Sequence, residues 1–315
     1  MDSTLSTVQY FPLYRMLSTL HSSPSTTSTA MKAVEYSPMW MRMMPAEAAG
    51  LSTVGLLSKD QYLSTVNRYI PPIVVELNKG LGNRLKALVS GICGADELGK
   101  EVRAIWTSNA DCGAKFGELF DLSAGPLPCW VYVHDALQAG YTQHVVDTDV
   151  QWNSVKGIST VIYTKSGSRF HTANQVKFVY WLQSLKAKAA IVSAATTALA
   201  TAGSNPVVGV HLRRTEYTAA APTSAFVAAM NAFDASTKFF VASDSDSDRQ
   251  ALEAAFPGRI ITVAETLSRT SAEGMKDALK DFVGLSKCSE ILGSEGSSFS
   301  EMAALYGGVK LTIVN

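Results

Sequence analysis

Two adjacent arginines follow an apolar run in the second half of the chain. The run covers residues 206–212, and Arg213 and Arg214 come directly after it. The planar fork of donors on arginine matches phosphate oxygens, and two guanidinium groups at the end of a buried strand are costly without an anionic partner. Two interpretations follow: a clamp for a diphosphate, or an ion pair inside the fold with Glu216 or Asp244.

A second segment with the character of an anion site lies near the C-terminus. Residues 293–299 have the sequence Gly-Ser-Glu-Gly-Ser-Ser-Phe, and a helical pattern follows them. Small residues let the backbone approach a ligand, and a helix N-terminus presents unpaired N–H groups with partial positive charge. Helix capping by Ser298, with Glu301 as its reciprocal partner, is the simpler interpretation. It leaves the second glycine and the additional serines unexplained.

The Gly-rich segment at residues 80–84 carries a weaker signal. Its sequence, Gly-Leu-Gly-Asn-Arg, lacks the third glycine of a dinucleotide fingerprint and the Gly-Lys-Ser/Thr of a P-loop. Neither NAD binding nor P-loop ATP hydrolysis is therefore supported. A tight turn is the alternative to a ligand-binding loop.

Serine and aspartate alternate over residues 243–248, which invites a metal interpretation. A calcium-binding EF-hand loop that starts at Asp244 needs glycine at 249 and glutamate at 255, where the chain has Arg249 and Ala255. The segment also lies between a strand and a helix, where Ser and Asp commonly cap. We expect capping, with Ser247 as the N-cap of the next helix, and no metal site.

The elements that must position these segments alternate between strand and helix. Apolar β-branched runs predict strands at 73–77, 102–106, 130–134, 206–212, 238–242, 259–263, 290–293 and 309–314. Helical patterns cover 85–98, 178–202 (as one helix or a pair), 223–233, 247–256, 273–285 and 299–306. This alternation predicts an α/β fold with parallel sheets, whose ligands bind beyond the carboxyl ends of the strands. The segments to inspect are therefore 78–84, 211–218, 243–247 and 294–298.

The length of 315 residues predicts two domains behind a leader. Residues 1–68 are rich in Ser, Thr and Met and predict a poorly ordered leader. Residues 69–200 form the predicted N-terminal domain and residues 201–315 the C-terminal one. Lys plus Arg and Asp plus Glu both number 27, so net charge gives no general attraction to nucleic acid or anionic lipid.

Several protein classes are disfavoured by what the sequence contains. No apolar run approaches the roughly 20 residues of a membrane helix, and no signal-peptide pattern opens the chain. We expect a soluble protein that is cytoplasmic by default. The four cysteines and five histidines show no zinc-finger spacing, and no Gly-x-Ser-x-Gly elbow occurs. Buried free thiols are expected, with one disulfide in the N-terminal half as the alternative.

Taken in order, these segments resemble motifs of GDP-fucose-dependent fucosyltransferases. The relevant groups are the α1,6-fucosyltransferases, their bacterial nodulation relatives and, more distantly, the protein O-fucosyltransferases. Residues 211–216 resemble a His-Val-Arg-Arg-Thr-Asp pattern, and residues 241–244 resemble a motif that ends in Ala-Thr-Asp-Asp. A third motif is similar to residues 281–298, and the segment 80–84 matches the Gly-rich loop of the family in place and character.

The resemblance implies a fold and a reaction. The fold would be GT-B-like, with two Rossmann-like domains whose parallel sheets face a cleft. The reaction would transfer fucose from GDP-β-L-fucose to a hydroxyl group of a glycan or protein, with inversion at the anomeric carbon. The resemblance implies no metal and no cofactor beyond the GDP-sugar as co-substrate. The expected partners are that nucleotide sugar and a glycan or glycoprotein acceptor.

The resemblance also assigns roles to single residues. Arg213 would hold the β-phosphate and stabilise the departing GDP, with Asp244 orienting it, and Asp281 would accept the N1–H and amino group of guanine. Glu216 is our candidate for the base that deprotonates the acceptor, since a carboxylate can do this work. The complete donor-binding set is Gly82, Asn83, Arg84, His211, Arg214, Asp244, Asp281, Ser297 and Ser298.

Departures from the family motifs leave alternatives open. Glu216 stands where the family usually has aspartate, Tyr217 where it often has lysine, and Ser245 replaces the second aspartate of the second motif. One additional residue lies between Ser294 and Ser297. The alternatives are a GT-B transferase that uses another nucleotide sugar, and a non-catalytic relative that binds nucleotides or glycans.

Overall fold

The structure is a computed structural model that describes residues 71–121, 131–135, 142–159, 161–171, 174–214, 221–266 and 268–315. The predicted leader, Cys129 and Glu216 lie outside the described residues. Within them, two separate sheets of parallel strands are flanked by helices. The predicted α/β class is confirmed. No described helix combines the length and the apolar character needed to cross a bilayer.

The first sheet has the strand order β3-β2-β1-β4, and all its pairs are parallel. Its strands are β1 (Ile73–Leu77), β2 (Val102–Ile105), β3 (Val131–His134) and β4 (Ile162–Ser166). The helices of this half are α1 (Leu81–Leu98), α2 (Phe116–Leu119), α3 (Asp149–Val155), α4 (Gln175–Ser184) and α5 (Ala189–Ala200). The elements β4, α2 and α3 were not predicted. The Tyr-Thr-Lys-Ser sequence of β4 is mostly polar, and the two helices are short.

The second sheet has the order β7-β6-β5-β8-β9, again with parallel pairs. Its strands are β5 (Val207–Leu212), β6 (Lys238–Ser243), β7 (Ile260–Ile261), β8 (Glu290–Ser294) and β9 (Lys310–Val314). The helices are α6 (Thr223–Met230), α7 (Asp246–Ala255), α8 (Ala272–Ser286) and α9 (Ser298–Gly307). The chain order reverses at β5, between β6 and β8. In open α/β sheets, such a reversal opens a crevice that binds ligands.

Three of the helix starts that differ from the predictions lie in the candidate segments. Helix α1 begins at Leu81, so the Gly-rich segment forms its first turn and is not a free loop. The N-cap of α7 is Ser245 and not Ser247, with the Ser245 hydroxyl accepting the N–H of Asp248. Helix α9 begins one residue earlier than predicted, so Ser298 is its first helical residue and Ser297 is its N-cap, without a side-chain capping bond.

One hydrophobic core joins the two halves of the molecule. It contains Leu85 and Leu88 of α1 together with Phe282 of α8 and Met302 of α9. A smaller core covers the other face of the second sheet. The α1–α9 contact is so close that a Cβ atom on Gly82 would lie 2.8 Å from the backbone of Ser298 and Phe299. Glycine is therefore needed where the first turns of these helices touch.

Three cysteines fall within the described residues. Cys93, Cys112 and Cys288 are all buried free thiols, as expected from the sequence. Burial raises the pKa of the Cys93 and Cys288 thiols to about 12. These two thiols are therefore protonated and unreactive at neutral pH.

Candidate functional site

A pocket opens at the carboxyl ends of β5 and β6, beside α8 and α9. Its walls include four residues singled out by the sequence: His211, Arg213, Asp244 and Asp281. The segment that joins β7 to α8 lines the opposite side of the pocket, and Phe299 of α9 closes one end. The structure thus brings together residues that lie up to 70 positions apart, at the edge of the sheet where they were expected.

Arg213 is held at the pocket wall by a carboxylate. Its Nη1 donates to Oδ2 of Asp244 at 2.9 Å, and its backbone N–H donates to the hydroxyl of Ser294 at 3.0 Å. The other oxygen of Asp244 accepts the backbone N–H of Arg214 at 2.8 Å. The side chain of Arg213 is 22% exposed. The expected contact between Asp244 and Arg213 is therefore present, and the guanidinium keeps access to the pocket.

Arg214 does not line the pocket, although its side chain is 24% exposed. Its Nε and Nη2 donate to the carboxylate of Asp248 at 2.7 and 3.3 Å. Further bonds run to the carbonyl of Ala221 at 2.6 Å and the hydroxyl of Thr223 at 2.9 Å. Burial acts to raise the pKa of Asp248, but hydrogen bonds from Arg214, Thr223 and Ser245 outweigh it and lower the pKa. Arg214 therefore connects the end of β5 to α6 and α7. This is an ion pair inside the fold, as in the second interpretation of the arginines, but its partner is Asp248.

His211 forms a neutral, flat part of the wall. Its ring stacks on Phe299 with centroids 4.9 Å apart, and its Nδ1 lies 3.5 Å from the hydroxyl of Ser297. Burial lowers the pKa of His211 to about 4, and the charge of Arg213 acts in the same direction while Asp244 opposes it. At neutral pH this histidine is uncharged. It offers a ligand a hydrogen bond or a ring face, but no counter-charge.

Asp281 presents a buried carboxyl oxygen without a hydrogen-bond partner among the described residues. This atom is Oδ1, while Oδ2 lies 3.9 Å from Nη2 of Arg249. Burial raises the pKa of Asp281 to about 8, although the charge of Arg249 opposes the shift. Buried polar atoms in native proteins nearly always have partners. An oxygen of this kind, in the wall of a pocket, is available to a ligand that donates hydrogen bonds.

The start of α9 meets the start of α1 beside this pocket. The hydroxyl of Ser298 donates to Oδ1 of Asn83, and Lys86 forms an ion pair with Glu301. Gly296, just before the helix, has a φ of 66°, a left-handed conformation that favours glycine. This explains the second glycine of the segment that capping alone left unexplained. The first turns of two helices thus converge, with Ser297, Ser298 and Asn83 between them.

The donor contact predicted for Arg84 is wrong. Its side chain is fully buried and lies over the ring of Trp106, 5.1 Å from the centroid. Its nitrogens donate to the carbonyls of Lys79 and Thr107 at 2.8 and 2.7 Å, and to Oδ1 of Asn109 at 2.8 Å. A guanidinium with no exposed surface cannot touch a ligand. Arg84 instead fixes the segments that follow β1 and β2.

Several residues at or near the pocket were given no site role by the sequence, among them Phe299, Arg249 and residues of the segment 264–269. Phe299 ends the predicted Gly/Ser segment, but no contact was assigned to its ring. Arg249 donates to the carbonyls of Ser243 and Ala264 at 3.0 and 2.9 Å, behind the pocket. Its signal was an arginine in the first turn of a helix, where the helix dipole favours acidic side chains.

In the part of the chain that the structure describes, no group of three or more His, Cys, Asp or Glu side chains is arranged to hold a metal ion. Asp244 and Asp248, the carboxylates of the alternating segment, bind the two arginines instead. The third, Asp246, is the first residue of α7.

The fold is similar to those of several solved fucosyltransferase structures. No protein-family model matches the sequence, and no curated protein matches it. The structure is similar to that of the fucosyltransferase NodZ from Bradyrhizobium, with a TM-score of 0.55, 16% identity, and coverage of 74% of this chain and 92% of that chain. It is also similar to the structure of a FUT1 mutant of Arabidopsis thaliana in complex with GDP, with a TM-score of 0.54, 14% identity, and coverage of 99% of this chain and 84% of that chain.

A third similar structure is POFUT1 in complex with GDP. Its TM-score is 0.51 at 11% identity, with coverage of 77% of this chain and 98% of that chain. The sequence identity of this chain to all three proteins is low, so the similarity concerns the fold. The chain has the GT-B-like fold of these fucosyltransferases, with two sheets of parallel strands.

Proposed function

We propose that this protein is a glycosyltransferase that transfers fucose from GDP-fucose to a hydroxyl group of a glycan or protein. The observation that carries the proposal is the pairing of two features in one pocket. Arg213, fixed by Asp244, supplies a positive charge near the start of α9, and Asp281 supplies an unpartnered carboxyl oxygen. A diphosphate suits the first feature and guanine suits the second.

In the proposed reaction, the main catalytic contribution comes from Arg213, which stabilises the leaving group. The acceptor oxygen forms a bond to the anomeric carbon while the bond from that carbon to the diphosphate breaks. Negative charge then grows on the β-phosphate, and a donor fixed in advance stabilises that charge without reorganising. The N–H groups at the start of α9 add partial positive charge on the same side.

The proton and the stereochemistry complete the scheme. Attack from the face opposite the leaving GDP inverts the anomeric centre. The acceptor proton passes to a base, and Glu216, outside the described residues, stays our candidate for it. His211 is a poor alternative, because burial lowers its pKa to about 4.

Guanine recognition is proposed for Asp281. When it is ionised, its carboxylate accepts two hydrogen bonds at once, from N1–H and the 2-amino group of guanine. Uracil and adenine do not offer two adjacent donors of this kind. A buried site that pairs with such donors rejects bases lacking them, because its own polar atoms would be left unpaired.

Nucleotide choice tests this proposal directly. GDP and GDP-fucose should raise the melting temperature of the protein, whereas UDP and ADP at equal concentration should not. A ligand that binds only the folded state at 100 times its Kd adds about 2.7 kcal/mol to the free energy of unfolding. A thermal-shift panel of the four compounds makes the measurement. Equal stabilisation by UDP would refute the guanine role of Asp281, and stabilisation by none would refute the nucleotide site.

Metal independence is a second expected outcome. Transfer or donor hydrolysis should continue in EDTA, because Arg213 and the start of α9 supply the counter-charge for the diphosphate. The carboxylates of Asp244 and Asp248 are already bound to arginines. The measurement is the initial rate of GDP release with and without the chelator. Activity that disappears in EDTA and returns with Mn²⁺ would instead assign these aspartates, with Asp246, to a metal.

A further inference from the structure

One wall of the pocket is an irregular segment that we call the pocket roof, residues 264–271 with 267 outside the described residues. It connects β7 to α8 and contains no helix or strand. Ala264, Thr266, Ser268 and Arg269 all line the pocket. A wall without regular hydrogen bonding needs other contacts to hold its shape, because ordering the backbone costs about 1–2 kcal/mol per residue.

The near end of the roof is held from within its own half. Oδ2 of Asp277 accepts the backbone N–H groups of Glu265 and Thr266 at 3.0 and 2.7 Å. Arg249 donates to the carbonyl of Ala264 at 2.9 Å. These bonds fix the part of the roof closest to Asp281.

The far end of the roof is held from the other half. The N–H of Gly113, in the segment after β2, donates to the carbonyl of Arg269 at 2.8 Å. A Cβ atom on Gly113 would lie 2.3 Å from the carbonyl group of Thr270 and 2.6 Å from the nitrogen of Ser271. Both neighbours are backbone, so they cannot yield by a side-chain rotation. The glycine is required by this approach and not by its own conformation, because its φ is not positive.

Gly113 is itself held in a rigid turn. Asn109 and Cys112 exchange two backbone hydrogen bonds of 3.0 and 3.1 Å, and the hydroxyl of Ser108 donates to the carbonyl of Gly113 at 2.7 Å. The buried Arg84 fixes the base of this turn through Thr107 and Asn109. A continuous set of contacts therefore runs from the start of α1 to the pocket roof.

We propose that Gly113 is a positioning residue for the nucleoside diphosphate site, and that the N-terminal half shapes the base-binding end of the pocket through it. The inference depends on the proposed function, because it concerns the same pocket. Gly113 does not line the pocket and acts only through the roof. Its effect should therefore fall on the nucleoside end, near Asp281 and the roof, and spare the phosphate end, near Arg213.

The test compares Gly113→Ala with Gly117→Ala. Gly117 is exposed on α2, and a Cβ atom there meets nothing within 4 Å, which makes it a matched control. For each full-length variant, the affinities for GDP and for inorganic diphosphate are measured by calorimetry, together with the melting temperature. Gly113→Ala should weaken GDP binding by about tenfold, because a displaced roof lengthens contacts to the nucleoside, and every 1.4 kcal/mol lost is tenfold in Kd. Diphosphate binding should stay at the wild-type value, and Gly117→Ala should match the wild type in both.

The outcomes separate this inference from the proposed function. If the wild-type protein binds no GDP, both the proposed function and the positioning role of Gly113 are refuted. If the wild type binds GDP and Gly113→Ala binds it equally well, only the positioning role is overturned. An equal loss of GDP and diphosphate binding in Gly113→Ala would also overturn it, because that result indicates general damage. If Gly113→Ala does not fold, Ser108→Ala replaces it, and unchanged GDP affinity in that variant overturns the role.

Discussion

Replacing Arg213 by alanine should lower the rate of fucose transfer by roughly two to three orders of magnitude, the usual effect of losing one preorganised charge-stabilising donor. The guanidinium matters most in the transition state, where charge grows on the β-phosphate. Arg213→Lys should not restore the rate, because lysine keeps the charge but loses the planar fork. The measurement is the initial rate of GDP-fucose turnover at saturating donor.

Stability and GDP affinity must be measured on the same Arg213→Ala preparation. The fold should survive, since the side chain is partly exposed and Asp244 keeps the N–H of Arg214 as a partner. Arg214→Ala is the contrasting variant. It leaves Asp248 without its guanidinium partner, so it should lower the free energy of unfolding by about 1–3 kcal/mol. Normal GDP affinity in Arg213→Ala, combined with a large loss of stability, would refute the phosphate clamp.

Asp281→Asn should weaken GDP binding by about 10- to 100-fold, the value of one or more hydrogen bonds to a charged group. The asparagine amide keeps the shape of the side chain, but its NH₂ group replaces one acceptor oxygen and faces a hydrogen-bond donor of guanine. Binding of diphosphate, which has no base, should be unchanged. Equal GDP affinity in the wild type and Asp281→Asn would exclude Asp281 from base recognition.

The raised pKa of Asp281 adds a pH signature to this experiment. The free protein carries Asp281 protonated below about pH 8, and guanine requires the carboxylate, so binding releases a proton. GDP affinity should therefore rise as the pH increases from 6 to 8, by up to about tenfold per unit. In Asp281→Asn this dependence should vanish. A flat pH profile in the wild type would show that Asp281 does not ionise when GDP binds.

Folding stability should depend on pH in the opposite sense. The pKa of Asp281 is about 8 in the folded protein against an ordinary value of 3.8. Between these values the folded state holds the proton more tightly than the unfolded chain does. The contribution of this residue to the free energy of unfolding therefore falls as the pH rises from about 4 to about 8. Denaturant unfolding without nucleotide should find Asp281→Asn more stable than the wild type at pH 8.

The features that could be predicted are those that depend on neighbouring residues in the sequence. Strands β1 and β5 are short β-branched runs, and their carboxyl ends carry the segments that were singled out. Because parallel strands bring these ends to one edge, His211, Arg213 and Asp244 could be placed together from the sequence alone. Gly99 ends α1 in a left-handed conformation, at the position where the pattern predicts the helix end.

The unpredictable part depends on contacts between distant segments. Asn83 and Ser298 are 215 residues apart, and Gly113 and Arg269 are 156 apart, so no local pattern indicates either pair. Arg84 is buried by contacts with Thr107 and Asn109, more than 20 residues away, which no local pattern indicates either. The sequence could not decide between Ser245 and Ser247 as the N-cap of α7 either, since serine is a good cap at both positions. Strand β4 was missed because most of its residues are polar, and its buried Ser166 is satisfied by a partner outside the strand, Asp147, at 2.6 Å.

The continuous core between the two halves limits how far they can move apart. Leu85 and Phe282, from opposite halves, belong to one packed interior, and the hydroxyl of Tyr306 binds the carbonyl of Leu185 across the same boundary at 2.9 Å. Swinging the halves apart would expose this apolar surface to water, at about 25 cal/mol for every square ångström. A close-packed interior of this kind has low compressibility and few voids, so it does not deform gradually. Opening the pocket by swinging the two halves apart is therefore unfavourable.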